Sequence, residues 1–234
     1  MQTTSSPTSS ALSPARSVVA LVSWLSLAAL QIAAGFAFAG GGEGNEELIY
    51  EYELALSVPI VYGALIGLTF AIAAAYPDPV RALGLRRFEL RWLWIALAMI
   101  LLALVVGAFF EAVFHGNAGD EQGVLPQSWR PDRLPALVLN GFVTVTLVPF
   151  AEELFFRGLG VRVFGVLGGA VAVVATALAF ALAHAIVVAL PGLFVFAAGL
   201  AWVRLRSASV WPGVVAHGVY NALVLALAVA ASLL

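Results

Sequence analysis

Three polar clusters stand in order in the C-terminal half of a chain that is otherwise strongly apolar. They are Glu152-Glu153-x-x-x-Arg157, Phe180-x-x-x-His184 and His217-x-x-x-Asn221. Ionisable side chains are costly in hydrocarbon, so polar residues inside apolar segments mark a candidate functional site. A glutamate, two histidines and an asparagine are also the groups that can activate a water molecule and bind an oxyanion. The clusters therefore predict hydrolytic chemistry within a bilayer.

The four candidate catalytic residues have separate predicted roles. Glu152 is the candidate general base, because a carboxylate in an apolar site can abstract a proton near neutral pH. His184 could share the same water molecule and later protonate a leaving amine. His217 and Asn221, which share a helix face at i and i+4, could donate hydrogen bonds to a tetrahedral oxyanion.

The remaining residues of the clusters are predicted to support the site. Glu153 and Arg157 are spaced i, i+4 on a helix, so we expect an ion pair that serves structure first. Phe180 is predicted to pack or to form a pocket wall.

A metal site is the alternative to direct water activation. Glu152, His184 and His217 have side chains that can ligate Zn(II). However, the sequence has no H-E-x-x-H pair, and the two histidines fall in different helices. We therefore expect no cofactor, with zinc as the alternative.

The spacing of the clusters predicts that they lie at one depth. Glu152 and His184 are each 16 residues from Gly168, which lies in a glycine-rich turn between two apolar runs. On antiparallel helices these two residues would be level, roughly 24 Å from the turn. The next pair of turns, near Pro191 and Ser207, places His217 level with His184 in the same way.

Composition indicates a membrane protein. Of 234 residues, 62% are hydrophobic and only 10% are charged, whereas soluble domains have about 25% charged residues. No segment has the alternation of a barrel strand, so we expect an all-α, polytopic transmembrane bundle of about seven helices. The runs are Val18–Ala39, Leu54–Tyr76, Trp92–Phe114, Leu134–Phe164, Ala170–Leu190, Leu193–Arg204 and Val210–Leu234.

The chain divides into three parts. Residues 1–15 are rich in Ser, Thr and Pro and predict a disordered tail. Residues 16–133 hold three predicted transmembrane helices, and residues 134–234 form the predicted catalytic core. The first apolar run is 22 residues long, which favours a retained transmembrane helix over a signal peptide with its shorter apolar region of about 7–15 residues.

Charge and composition also predict orientation and surroundings. The arginine-rich link at residues 81–91 is predicted to be cytoplasmic, with the turns near Arg162 and Arg204, which places the N-terminus in the cytoplasm. Arginine is used throughout in place of lysine, and with the high Ala, Val and Gly content this indicates a bacterial cell-membrane protein. Cysteine is absent, so the chain has no disulfide and no thiol nucleophile. We expect the lipid bilayer and a peptide or membrane-protein substrate as partners, and no nucleic acid.

The three motifs together resemble those of the CPBP family of intramembrane proteases, also called the Abi family, which includes the type II CAAX prenyl endopeptidases. The family motifs E-E-x-x-x-R, F-x-x-x-H and H-x-x-x-N/D are all present in order, between about residues 134 and 225. The resemblance implies an endopeptidase with a cavity open towards the cytoplasm, in which Glu152 and His184 activate water and His217 and Asn221 form the oxyanion site.

Two other functions remain open at this point. One is a non-proteolytic membrane scaffold or bacteriocin-immunity protein of the same fold, in which the polar residues only tie helices together. The other is a small transporter with a proton relay through Glu152 and the histidines, although no repeat typical of transporters is found in the sequence.

Overall fold

The computed structural model describes residues 13–40, 47–114 and 125–233. This part of the chain is all-helical, as predicted. The helices are α1 (Pro14–Gly40), α2 (Tyr52–Ala73), α3 (Pro79–Ala82), α4 (Leu90–Phe114), α5 (Leu134–Glu152), a π-helical segment (Glu153–Gly160), α6 (Val161–Phe164), α7 (Gly169–Ala183), α8 (Leu190–Ser207) and α9 (Trp211–Ser232). Short 3₁₀ turns lie at Leu48–Tyr50, Pro131–Arg133 and Gly165–Leu167.

The helices form a bundle of the size that a bilayer requires. Within the described ranges, five helical stretches are long and apolar enough to cross a membrane, the longest being Pro131–Leu167. Large apolar side chains point outward along them, with Ile60 72% exposed on α2 and Val105 68% exposed on α4. An apolar exterior of this kind suits hydrocarbon rather than water. The protein is therefore a multi-pass membrane protein.

The arginine-rich turns meet at one end of the bundle. Arg204 at the end of α8 donates through Nη2 to the carbonyl of Ala82, at 3.2 Å. The Arg162 guanidinium lies 5.1 Å from the ring of Tyr76. The backbone N–H of Val210, just before α9, donates to Gly84 at 3.0 Å. These turns therefore lie together at one end of the bundle, and the side of the membrane that they face stays a prediction.

The opposite end of the bundle is held by a different set of contacts. Asn140 on α5 donates through Nδ2 to the carbonyls of Ile49 and Glu51, both at 2.9 Å. The hydroxyl of Tyr50 donates to the carbonyl of Ser128 at 3.0 Å. These bonds attach the segment before α2 to α5 and to the residues that precede it.

The end of α7 differs from the apolar run that predicted it. The run from Ala170 to Leu190 predicted one helix, but α7 ends at Ala183 and residues 184–189 form a turn. Ala185 has φ 54°, a left-handed conformation that an α-helix cannot continue through. His184 consequently lies at a helix end rather than in mid-helix.

One expectation concerns residues outside the described ranges. It is the predicted disorder of the N-terminal tail, as far as residue 12.

Candidate active site

A π-helical segment carries the first polar cluster. Helix α5 ends at Glu152, and the next eight residues, Glu153–Gly160, adopt the wider π conformation. All eight are buried. Stretches of π-helix are rare and occur frequently at functional sites. The wider turn thus coincides with the two adjacent glutamates.

Glu153 and Arg157 form the predicted ion pair inside the protein. Oε1 of Glu153 lies 2.8 Å from Nη1 of Arg157, and both side chains are 0% exposed. The guanidinium carbon of Arg157 also lies 4.2 Å from the centroid of the Phe180 ring, a cation–π contact. Among the described residues no hydrogen bond of good geometry reaches the Arg157 nitrogens. The ion pair and the ring are therefore what compensates this buried charge.

His217 lies between the two glutamates. Its Nδ1 is 3.3 Å from Oε1 of Glu153, and its Nε2 is 3.7 Å from Oε2 of Glu152. The ring is 2% exposed and packs edge-on against Phe180 and Phe196. The structure thus joins the first and third motifs through one imidazole, which brings together two residues that the sequence places at the same depth.

The carboxylate of Glu152 has one occupied and one open oxygen. Oε1 accepts a hydrogen bond from the Tyr62 hydroxyl on α2, at 2.9 Å. Oε2 has no hydrogen-bond partner among the described residues, since His217 Nε2 lies beyond hydrogen-bond distance. A buried carboxylate oxygen is rarely left unpaired, so this one can accept from a water molecule.

His184 reaches the same region from the end of α7. Its Nδ1 lies 2.8 Å from the carbonyl of Phe180. A carbonyl can only accept, so Nδ1 carries the proton and Nε2 of the neutral ring is an acceptor. The Phe180 ring separates the two histidines, with its centroid 4.4 Å from that of His184 and 5.5 Å from that of His217.

Asn221 lies further along the bundle than the other three candidates. Its Nδ2 donates to the carbonyl of Thr144 on α5, at 2.9 Å. Thr144 is eight residues before Glu152, roughly 12 Å along the helix axis. In this structure Asn221 therefore ties α9 to α5, with one amide hydrogen still unassigned.

Pro149 leaves the carbonyl of Val145 without its usual helical donor. Helix α9 packs closely there, because a Cβ atom on Gly218 would lie 2.7 Å from that carbonyl oxygen. Gly218 of α9 thus lies against the Val145 carbonyl that lacks a helical donor.

Two residues that contact the site lie outside the motifs. Tyr62 is one, and Trp24 on α1 is the other: its Nε1 donates to the Phe155 carbonyl of the π-helical segment at 3.1 Å, and its ring stacks on that of Phe155. Trp24 is 1% exposed. Both lie in the middle of apolar runs rather than at membrane interfaces, where Trp and Tyr are usually found. Their position in mid-run was the signal in the sequence that these two residues have partners inside the bundle.

The side chains near the site do not form an evident metal centre. Within the described residues, no group of three or more His, Asp or Glu side chains is placed to share one ion. Nδ1 of His217 faces Glu153, and Nδ1 of His184 faces a carbonyl. Each ring keeps its Nε2 atom for another partner, and the expectation that no metal is bound stays a prediction.

The fold and the buried Glu-His-Glu arrangement define a membrane protein with an internal polar site. A family model described as type II CAAX prenyl endopeptidase Rce1-like matches residues 134–223. This C-terminal core is similar to that CAAX protease-like family, whose three motifs it carries, and the similarity supports protease activity. Neither a comparison with curated proteins nor one with solved structures gave a match.

Proposed function

We propose that this protein is an intramembrane endopeptidase in which Glu152 is the general base. The observation that carries the proposal is the open Oε2 atom of a 6% exposed carboxylate, 3.7 Å from His217 within the segment that matches the protease family. An oxygen in this situation can hold a water molecule and take its proton.

The proposed reaction adds water across a peptide bond. Glu152 removes a proton from water while the oxygen attacks the carbonyl carbon, forming a tetrahedral oxyanion. The C–N bond then breaks, and the proton is delivered to the departing amine, so that one carboxyl and one amino terminus result. No covalent enzyme intermediate is needed, in keeping with the absence of cysteine from the sequence.

His184 is proposed to hold the same water molecule. With Nδ1 bound to the Phe180 carbonyl, its Nε2 lone pair is free to accept. His184 is also only partly buried, and Glu152 is among its charged neighbours. After accepting the proton, the ring could pass it to the leaving amine.

His217 and Asn221 are proposed to bind the oxyanion, as the resemblance implies. His217 Nδ1 already faces Glu153, a carboxylate that can only accept, so donation to an oxyanion from Nε2 requires the doubly protonated ring. Asn221 would use its second amide hydrogen or release Thr144. Substrate binding would thus be accompanied by a rearrangement along α9.

The site lies in the half of the bundle near the arginine-rich turns. His217 is six residues after Trp211, where α9 begins, which is about 9 Å along the axis. If the arginine-rich end is cytoplasmic, the site is reached from the cytoplasmic half of a bacterial cell membrane, with the N-terminus also inside. A peptide or a membrane-protein segment is the proposed substrate.

A comparison of Glu152→Gln with the wild-type protein tests the proposal. Terminal-peptide proteomics compares cells that express each form. The matched control is Glu89→Gln, because the Glu89 side chain is 69% exposed in a surface ion pair with Arg91. We expect one or more uncut precursors only with Glu152→Gln. A non-proteolytic scaffold or immunity protein would give the same protein termini in all three cell lines, which would overturn the proposal.

A further inference from the structure

Among the described residues, the hydroxyl of Tyr62 is the hydrogen-bond donor to Oε1 of Glu152, at 2.9 Å. Tyr62 lies on α2, outside the segment 134–223 that matches the protease family. The other hydroxyl on the buried face of α2, that of Thr69, donates within its own helix to Leu65 at 2.7 Å. Tyr62 therefore has a role on α2 that local helix structure does not explain.

We infer that Tyr62 is a positioning residue for the general base, an inference that rests on the proposed function. A carboxylate on a flexible side chain can rotate, and either oxygen could face His217. The 2.9 Å bond to Tyr62 holds Oε1 on the side of α2. Oε2 is thereby kept on the side of His217, where it has no hydrogen-bond partner among the described residues.

The chemistry of the phenol fits this role. The Tyr62 hydroxyl can donate to Oε1 whether the Glu152 carboxyl group is ionised or protonated on Oε2, because Oε1 keeps a lone pair in both states. The proton taken from water therefore goes to Oε2, and Tyr62 can retain its bond throughout the cycle. Tyr62 itself exchanges no proton with the substrate.

The packing around Tyr62 also favours a defined position. Tyr62 is partly buried against the core cluster that contains Leu65 and Phe155. Helix α2 packs along α5 and the start of the π-helical segment. The backbone on both sides of the bond is thus helical, which limits how far the two partners can separate.

A Tyr62→Phe variant removes only the hydroxyl and tests the inference. The matched control is Tyr50→Phe, because the fully buried Tyr50 donates its hydroxyl to the Ser128 carbonyl at the other end of the bundle. Each protein is purified in the same detergent. Its kcat and KM are measured per folded molecule with the quenched peptide that wild type cleaves fastest from a random pool.

We expect Tyr62→Phe to lower kcat at least about tenfold, a part of the roughly 100- to 10,000-fold that a general base contributes. KM should change little, since the substrate loses no contact. Tyr50→Phe should lower thermal stability without lowering kcat. Equal kcat values for Tyr62→Phe and Tyr50→Phe would overturn the inference, because a merely structural hydroxyl gives that result.

An infrared measurement separates this inference from the proposed function. The difference spectrum between wild type and Glu152→Gln isolates the carboxyl band of Glu152. This band should shift in a Tyr62→Phe background and stay in place in a Tyr50→Phe background. An unshifted band overturns the inference even in an active enzyme. A wild-type protein that cleaves no peptide overturns the proposed function, while the band still decides whether Tyr62 binds Glu152.

Discussion

A Cβ atom on Gly213 would lie 2.5 Å from Oε2 of Glu153. The first turn of α9 therefore lies against the carboxylate that binds Arg157 and faces His217. Any side chain larger than hydrogen at position 213 must displace either that carboxylate or the helix.

Gly213→Ala should therefore lower both stability and activity. The added methyl group would push Glu153 from its contacts with Arg157 and His217, and overpacking of this kind costs about 1–3 kcal/mol. The matched control is Gly67→Ala on α2, where an added Cβ meets no atom within 4 Å. That control should be neutral or slightly stabilising, since alanine favours helix over glycine. Thermal unfolding in detergent measures both, and equal midpoints would contradict the close packing.

Glu153→Gln should reduce the folded yield more than the turnover of each folded molecule. The substitution leaves the 0% exposed Arg157 without its ion partner, and breaking a buried pair costs about 3–5 kcal/mol. Size-exclusion yield and turnover per folded molecule are the measurements. A double variant, Glu153→Gln with Arg157→Met, should recover part of the yield because the unpaired charge is gone. Full yield with abolished turnover would show that Glu153, rather than Glu152, is the base.

Catalysis should depend on the Glu152 carboxylate and not on a bound metal. Glu152→Gln should reduce the rate at least about 100-fold, the low end for general acid–base catalysis. Extended chelation should leave the wild-type rate nearly unchanged, because the described side chains near the site offer no three-ligand group.

Activity that depends on zinc would contradict this prediction and would reassign the residues. Stoichiometric zinc, with activity lost on its removal and regained on its return, would make Glu152, His184 and His217 the ligands. The general base would then be sought in Glu153.

Trp24→Ala should strongly destabilise the protein. The indole donates to the Phe155 carbonyl and packs on the rings of Phe155, Phe156 and Phe164. Removing a buried tryptophan side chain costs about 3–5 kcal/mol. Trp94→Ala is the control, because Trp94 is 64% exposed on α4. Thermal unfolding in detergent should separate the two variants clearly, and similar midpoints would show that α1 contributes little to the core.

Residue types and spacing were sufficient to predict the helical class and the ion pair beside the candidate site. The contacts of His217 with both glutamates agree with the predicted equal depth. The count for His184, however, assumed a helix as far as Leu190, whereas α7 ends at Ala183. The ion pair of Glu153 with Arg157 followed from i, i+4 spacing. Both predictions depended on local helix geometry, which a single sequence specifies well when apolar runs are long.

Other features depended on contacts between distant parts of the chain. We found no signal in the residue types of Glu153–Gly160 that predicts a π-helix rather than an α-helix. Tyr62 and Trp24 are 90 and 131 residues along the chain from their hydrogen-bond partners. The early end of α7 depends on the left-handed Ala185, a residue with high helix propensity. Tertiary packing overrides the local preference at that point.

The contacts of Trp24 and Tyr62 limit how this protein can be divided in the laboratory. A fragment beginning at Leu134 would hold all three motifs, yet it would lack the donor to Glu152 Oε1 and the indole against the Phe155 carbonyl. Gly35 of α1 also lies directly against the carbonyl of Ala183, next to His184. Grafting the motif-bearing half onto another membrane anchor would therefore transfer the candidate catalytic side chains without the helices that contact them.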